Sequence, residues 1–300
     1  MFNYCLVSLI KLGARNEYPT GTLRRYGVSS KRGFAATDLV IAFIVLYYWP
    51  MISAMIDEIF ASLQGEGIWV GQRHIFVRFI GCDLRCAYCD TPDAVKSSSG
   101  AGVRNCRAQV SPGSFDRQSV PNPLEPEHLS SLCGRLRIPG LSRPVVSLTG
   151  GEPLLHTPFL QEWLPSERKT SRIYLETNGV HVAEMVSLAG LIDVVSMDIK
   201  LPSATGQSTR WDEHRKFLSA TEGTERFVKV VVTASTASDE ILLAARLVAE
   251  QDRMVPFIIQ PASGPLSPEA GSLILFQGIA LEILSDVRVI PQVHKMLQLP

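Results

Sequence analysis

The sequence predicts an α/β fold with parallel strands, in a sheet either open or closed into a barrel. Three observations point there. From residue 56 onward, short β-branched or aromatic runs alternate with helix-like stretches. The runs are continuously apolar rather than alternating, as expected of strands covered on both faces. Each of five of them is followed at once by a polar or glycine-bearing signature, and parallel α/β barrels place their chemistry at the carboxyl ends of their strands.

Taken in order, residues 1–55 stand apart. Residues 1–38 carry six basic side chains (Lys11, Arg15, Arg24, Arg25, Lys31, Arg32) against Glu17 and Asp38, and an uncharged run follows at 39–56. Its length is at the lower limit for a membrane span, and Pro50 interrupts it. A signal anchor with a basic flank is one reading. The favoured reading is a peripheral extension, or a start upstream of the working one, since Met51 and Met55 both precede "IDEIFASLQGEG". The strand candidates are 74–80, 144–149, 172–177, 192–199, 225–232, 255–260 and a short 287–290. The clearest helix is 238–251, capped by Ser238, with Asp239 and Glu240 in its first turn and Ile241, Ala244, Ala245 and Val248 on one face. His156 starts a helix, and 166–172 ("SERKTSR") reads as a solvated turn. Residues 96–126, rich in Ser, Gly and Pro, read as a long surface excursion beside the site.

Composition sets bounds on function. A chain of 300 residues, 46% hydrophobic, can bury a sizeable core. Basic and acidic side chains balance at 29 each, which argues against a general nucleic-acid binder. Six cysteines, half of them within residues 82–89, are no disulfide framework and read as a metal site in a reducing, cytoplasmic compartment.

That cluster, Cys82-x3-Cys86-x2-Cys89, has three thiols where a structural zinc or a closed iron–sulfur site takes four ligands. Either one iron of a four-iron cluster is left open to a chelating small molecule, or Cys106 or Cys133 completes a closed site. Cys106 falls in the loose excursion and Cys133 on a helix.

"CDLRCAYC" together with "TGGEP" (149–153) resembles the two signatures of radical S-adenosylmethionine enzymes. More closely, residues 60–91, with "SLTGGEPLL", "LETNG", "IIQP" and "PQVHK" in order, resemble the 7-carboxy-7-deazaguanine synthase family over about residues 56–300, the excursion excepted. The resemblance implies a partial (β/α)6 TIM-like barrel. It implies conversion of 6-carboxy-5,6,7,8-tetrahydropterin to 7-carboxy-7-deazaguanine with loss of ammonia, started by a 5′-deoxyadenosyl radical that takes a hydrogen atom from C6 of the pterin. Cys82, Cys86 and Cys89 would hold a 4Fe–4S cluster. The backbone of Tyr88, Cys89 and Asp90 would line the adenine of S-adenosylmethionine, Gly151 and Glu152 would meet its methionine end, and Ser196, Asp198 and Gln260 would add contacts. Where relatives carry a shorter Ser-Pro-Lys stretch this chain reads "SMDIK" (196–200), which leaves the roles of Ser196, Asp198 and Lys200 open. Thr91 would bind Mg²⁺. Leu63, Gln64, Gly65, Glu66, Arg78, Thr149 and Pro300 would bind the pterin, Arg78 through its carboxylate. The alternative reading of Arg78 is a rim salt bridge, and His294 and Lys295 are read as structural. The resemblance further implies a flavodoxin- or ferredoxin-like electron donor and a homodimer. Two other functions remain open on the residues alone: an activase that installs a glycyl radical on a partner protein, and a non-enzymatic metal-binding module.

Overall fold

The computed structural model describes residues 52–92, 94 and 105–300. Residues 1–51, most of the extension read at 1–55 and of the uncharged run at 39–56, lie outside them, and of the rest Ala54 is buried and pairs with Leu124. Among the described residues no helix is long and apolar enough to cross a membrane.

The strands are β1 (Ile56–Leu63), β2 (Arg73–Phe79), β3 (Cys106–Gln109), β4 (Arg117–Val120), β5 (Val145–Gly150), β6 (Arg172–Thr177), β7 (Val194–Ile199), β8 (Glu225–Val232), β9 (Phe257–Pro261) and β10 (Val287–Val289). The helices are α1 (Pro126–Arg135), α2 (Thr157–Glu167), α3 (Val182–Ser187), α4 (Pro202–Thr205), α5 (Trp211–Ala220), α6 (Ser238–Ala249), α7 (Ala270–Leu281) and α8 (Val293–Met296). Among the described residues one sheet holds all the strands, in the order β10-β9-β8-β7-β6-β5-β2-β1-β3-β4. From β2 through β10 every neighbour pair is parallel. The order does not close on itself, so the parallel run is a partial barrel with helices outside.

The continuous apolar runs have their cause here. Outward residues such as Val77, Leu148, Leu175, Met197, Val230 and Ile259 join helix residues such as Leu160, Trp163, Phe217, Ile241 and Phe276 in one core. Inward residues form a second, smaller cluster: Trp69, Val145, Tyr174, Val194, Phe227 and Ile258 plug the amino-terminal end of the barrel. Full burial of such a side chain is worth about 1.5–3 kcal/mol, so the two layers dominate the fold's stability.

Four expectations are corrected. β1 is an added strand, antiparallel to β2. Its acidic pair hid it: Asp57 is buried against Arg107, and Glu58 pairs with Arg78 at 2.8 Å. The excursion is not loose where it is described, because β3 pairs parallel with β1 and β4 closes a hairpin on it. Cys106 is accordingly buried rather than in a surface loop. The helix predicted from Ser238 begins there, but Ala237 holds the cap position, its N–H bonded to Glu240 at 3.3 Å. Finally, Glu167 in "SERKTSR" is buried and takes bonds from Arg137 and Ser171, both at 2.6 Å. His156 stands immediately before α2, as expected, its Nε2 2.8 Å from the Ile80 carbonyl.

Two buried histidines make stability pH-dependent. Burial depresses His74 and His214 to about 4, well below the free value. Between pH 6.5 and 4 the unfolded chain therefore binds more protons than the folded one, so stability falls as pH falls through that window. Fully developed, each contributes about 3 kcal/mol. Urea midpoints should drop between pH 7 and 4.5, and His74→Gln should flatten the slope. A midpoint constant across that range contradicts this.

Candidate active site

The inner face of the barrel changes character along each strand. Because side chains alternate, residues two apart share a face. Tyr174 in the plug is followed by Glu176, Val194 by Ser196 and Asp198, Phe227 by Lys229, and Ile258 by Gln260. Apolar residues thus seal the amino-terminal end, and polar ones line a cavity of about 810 Å³ at the carboxyl ends.

Of the predicted site residues, Leu63, Gln64, Gly65, Glu66, Arg78, Cys82, Cys86, Tyr88, Cys89, Asp90, Thr91, Thr149, Gly151, Ser196, Asp198, Gln260 and Pro300 all line this one cavity. Glu152 does not. Its side chain is fully buried, and its carboxylate accepts from Leu154 N–H (3.1 Å), Thr177 hydroxyl (2.9 Å) and Asn178 N–H (2.7 Å). Burial holds this carboxyl above the usual range.

The cysteine loop follows β2 through Gly81, whose φ of 104° suits glycine. All three thiols are half-buried, and burial raises Cys82 to about 11 and Cys86 in the same direction. Cys106 and Cys133 are fully buried in the apolar core and line no part of the cavity. Among the described residues the trio of ligand atoms converging within 4.8 Å is Glu66, Asp90 and His294, not the three sulfurs. Sulfurs set apart on one wrapping loop suit three corners of a multi-iron cube better than one ion, so the donor set fits a 4Fe–4S cluster with one corner open. That trio of two carboxylates and a histidine is poor for a cation, because Lys229 already binds Glu66 and Lys295 lies 3.1 Å from Asp90.

The glycine turn after β5 packs directly on this loop. Gly151 N–H donates to Phe79 O (3.0 Å) and Glu152 N–H to Gly81 O (2.7 Å). A Cβ at Gly151 would fall 1.9 Å from the Gly81 carbonyl. Gly151→Ala should therefore lower both the melting temperature and iron uptake. Gly134→Ala on α1, with open space around it, should be neutral or stabilising by about 0.5–1 kcal/mol. Equal behaviour of the two variants would contradict this packing.

Sequence reasoning passed over several wall residues. Glu176 accepts from Gln64 Nε2 (2.8 Å) and from the Thr149 hydroxyl (2.6 Å). Lys229 binds Glu66 and lies 3.7 Å from Asp198. Burial alone would raise Glu66, but Lys229 overrides it and holds the carboxyl below its ordinary range. Gln292 Nε2 bridges Glu66 (2.8 Å) and Asp90 (2.9 Å). Lys200, named in the sequence analysis with its role left open, has its Nζ 2.7 Å from Asp198 and 3.2 Å from the Tyr88 hydroxyl. His294 and Lys295, read as structural, are cavity-wall residues. Arg78 pairs through Nε with Glu58, as the salt-bridge reading expects, and it also lines the cavity.

The Radical SAM superfamily pattern matches residues 76–240. The 7-carboxy-7-deazaguanine synthase of Geobacter sulfurreducens is 37% identical over 249 residues, covering 81% of this chain and 97% of that one. That of Methanothermobacter thermautotrophicus is 32% identical over 280 residues, covering 83% and 99%. Among solved structures, QueE from Escherichia coli superposes with a TM-score of 0.53 at 22% identity, over 83% of this chain and 98% of that one, a likeness of fold. Superfamily pattern and full-length relatives agree with the cysteine loop and glycine turn on one cavity, and the chain belongs to the 7-carboxy-7-deazaguanine synthase family of radical SAM enzymes.

Proposed function

We propose that this chain converts 6-carboxy-5,6,7,8-tetrahydropterin to 7-carboxy-7-deazaguanine with loss of ammonia, in queuosine or deazapurine biosynthesis. The observation that carries this reading is the single cavity that joins the three-cysteine loop to a polar wall of Gln64, Arg78, Thr149 and Glu176. When bound, the reduced cluster and S-adenosylmethionine supply a 5′-deoxyadenosyl radical that takes a hydrogen atom from the substrate.

The residues orient and shield the substrate. Arg78 meets the pterin carboxylate, and its Nε bond to Glu58 fixes the plane of the guanidinium for that contact. Phe60 and Phe76, stacked at 5.0 Å, present an apolar wall beside it, with the Arg78 guanidinium 5.8 Å from the Phe60 ring. Gln64 and Thr149 hold Glu176 in place, so that its carboxylate can accept from the amino and ring N–H edge of the pterin. Lys229 keeps Glu66 ionised as an acceptor. Thr91, whose hydroxyl lies 3.9 Å from Cys89 Sγ, offers Mg²⁺ a ligand next to the cluster loop, with substrate oxygens and water completing the shell. A flavodoxin- or ferredoxin-like protein supplies the electron, the working enzyme is a cytoplasmic homodimer, and the backbone of Tyr88, Cys89 and Asp90 with Ser196, Asp198 and Gln260 receives S-adenosylmethionine.

The test is anaerobic turnover with reduced, iron-loaded protein, S-adenosylmethionine, Mg²⁺ and the carboxypterin. The deazapurine product is expected by mass spectrometry. An intact reduced cluster that yields no such product overturns the substrate assignment.

A further inference from the structure

The Glu152 carboxylate is sealed away from the cavity. What it does instead is visible in its partners. It accepts from Leu154 in its own turn and from Thr177 and Asn178 at the end of β6. Its backbone N–H, in the opposite direction, holds Gly81 at the root of the cysteine loop. Asn178 continues the path. Its Nδ2 donates to Asp83 Oδ1 at 3.1 Å, while its Oδ1 accepts from Val180 N–H at 3.1 Å, which sets the amide's orientation. Asp83 is also 3.3 Å from His181 Nε2. The cysteine loop is thus gripped on both sides of Cys82, at Gly81 by the glycine turn and at Asp83 by the end of β6.

We infer that Glu152 and Asn178 form a brace between the glycine turn and the cysteine loop, and that Asn178 is a positioning residue for S-adenosylmethionine binding at the cluster. The inference rests on the radical SAM reading of the site and deepens it. A ligand that bridges the open iron and the glycine turn needs both held at one fixed separation. The brace is a side-chain link between them, because Asn178 bonds the turn through its backbone and the loop through its amide. Neither bond touches the three thiols, so the brace acts on the second binding event and leaves cluster assembly to the cysteines.

The experiment compares iron-loaded wild type with Asn178→Ala, Asp83→Ala and the double variant. Asp83 lies on the half-exposed loop, so its removal keeps the fold intact even if the buried Asn178 change does not. Iron and sulfide content should match wild type in each. S-adenosylmethionine affinity per loaded cluster, read from the shift of the reduced-cluster electron paramagnetic resonance signal, should fall about tenfold or more in either single variant. The double variant should lose no more than the worse single, because both remove the same bond. Affinities within twofold of wild type, additive losses, or loss of iron in step with loss of binding would each overturn the brace. Wild type that takes up no cluster, or shows no shift, instead contradicts the proposed function itself, so the two failures are distinct.

Discussion

Cys86→Ala is expected to abolish both the four-iron cluster and cleavage of S-adenosylmethionine, whereas Cys106→Ala and Cys133→Ala keep a full cluster. Cys82, Cys86 and Cys89 share the cavity wall, and a cube held at three corners cannot lose one of them and stay chelated. The other two described thiols are packed in the apolar core, Cys106 on β3 and Cys133 on α1. Burial pushes Cys106 up to about 12 and raises Cys133 well above the ordinary thiol value, so both stay protonated. Cys82 is raised as well, so geometry rather than thiol acidity separates the two groups. Iron analysis after anaerobic reconstitution reads the outcome directly. Loss of iron in Cys106→Ala or Cys133→Ala, or retention in Cys86→Ala, would return the site to a closed four-ligand centre.

Lys229→Met should be the most damaging substitution away from the cysteines. Lys229 is largely but not fully buried, and its ammonium stands between Glu66 and Asp198. Its carboxylate neighbours raise its pKa against the pull of burial, so it is charged throughout the working range. Asp198 keeps Lys200 at 2.7 Å, but Glu66 is left with no cationic partner among the described residues, and breaking a buried pair by removing one member typically destabilises by about 3–5 kcal/mol. Adding Glu66→Gln should restore much of that stability, because the unpaired charge goes with it. Activity should stay low in the double variant, since Glu66 itself lines the cavity. Urea unfolding of the two singles and the double gives the coupling. Strictly additive losses would mean that the pair is not the unit described here.

The parallel strands were legible because burial on both faces leaves an unbroken apolar run, and 225–232 coincides with β8 to the residue. β1 was not, because Asp57 and Glu58 sit where an apolar pair would be and are balanced by arginines from other strands. The β3–β4 hairpin was hidden by the serine, glycine and proline around it, since its stability comes from pairing with β1, which local composition does not reveal. At the site, the three-cysteine loop was legible from its spacing, and the roles of the other motif residues came only from the family resemblance. Glu176 and Lys229 were not, although one signal was present: each lies two residues beyond an aromatic plug residue on the same inward face. The orientation of Glu152 had no such signal, because which way a turn residue points is decided by the donors at the end of another strand.

The central claim is a cluster with one iron free for S-adenosylmethionine. The most direct measurement is pulsed electron–nuclear double resonance on the reduced, reconstituted enzyme with S-adenosylmethionine labelled with ¹⁵N and ¹⁷O in its amino and carboxylate groups. Strong coupling of both labels to the cluster is predicted. Absence of coupling at saturating nucleotide, with the cluster intact, would contradict the account.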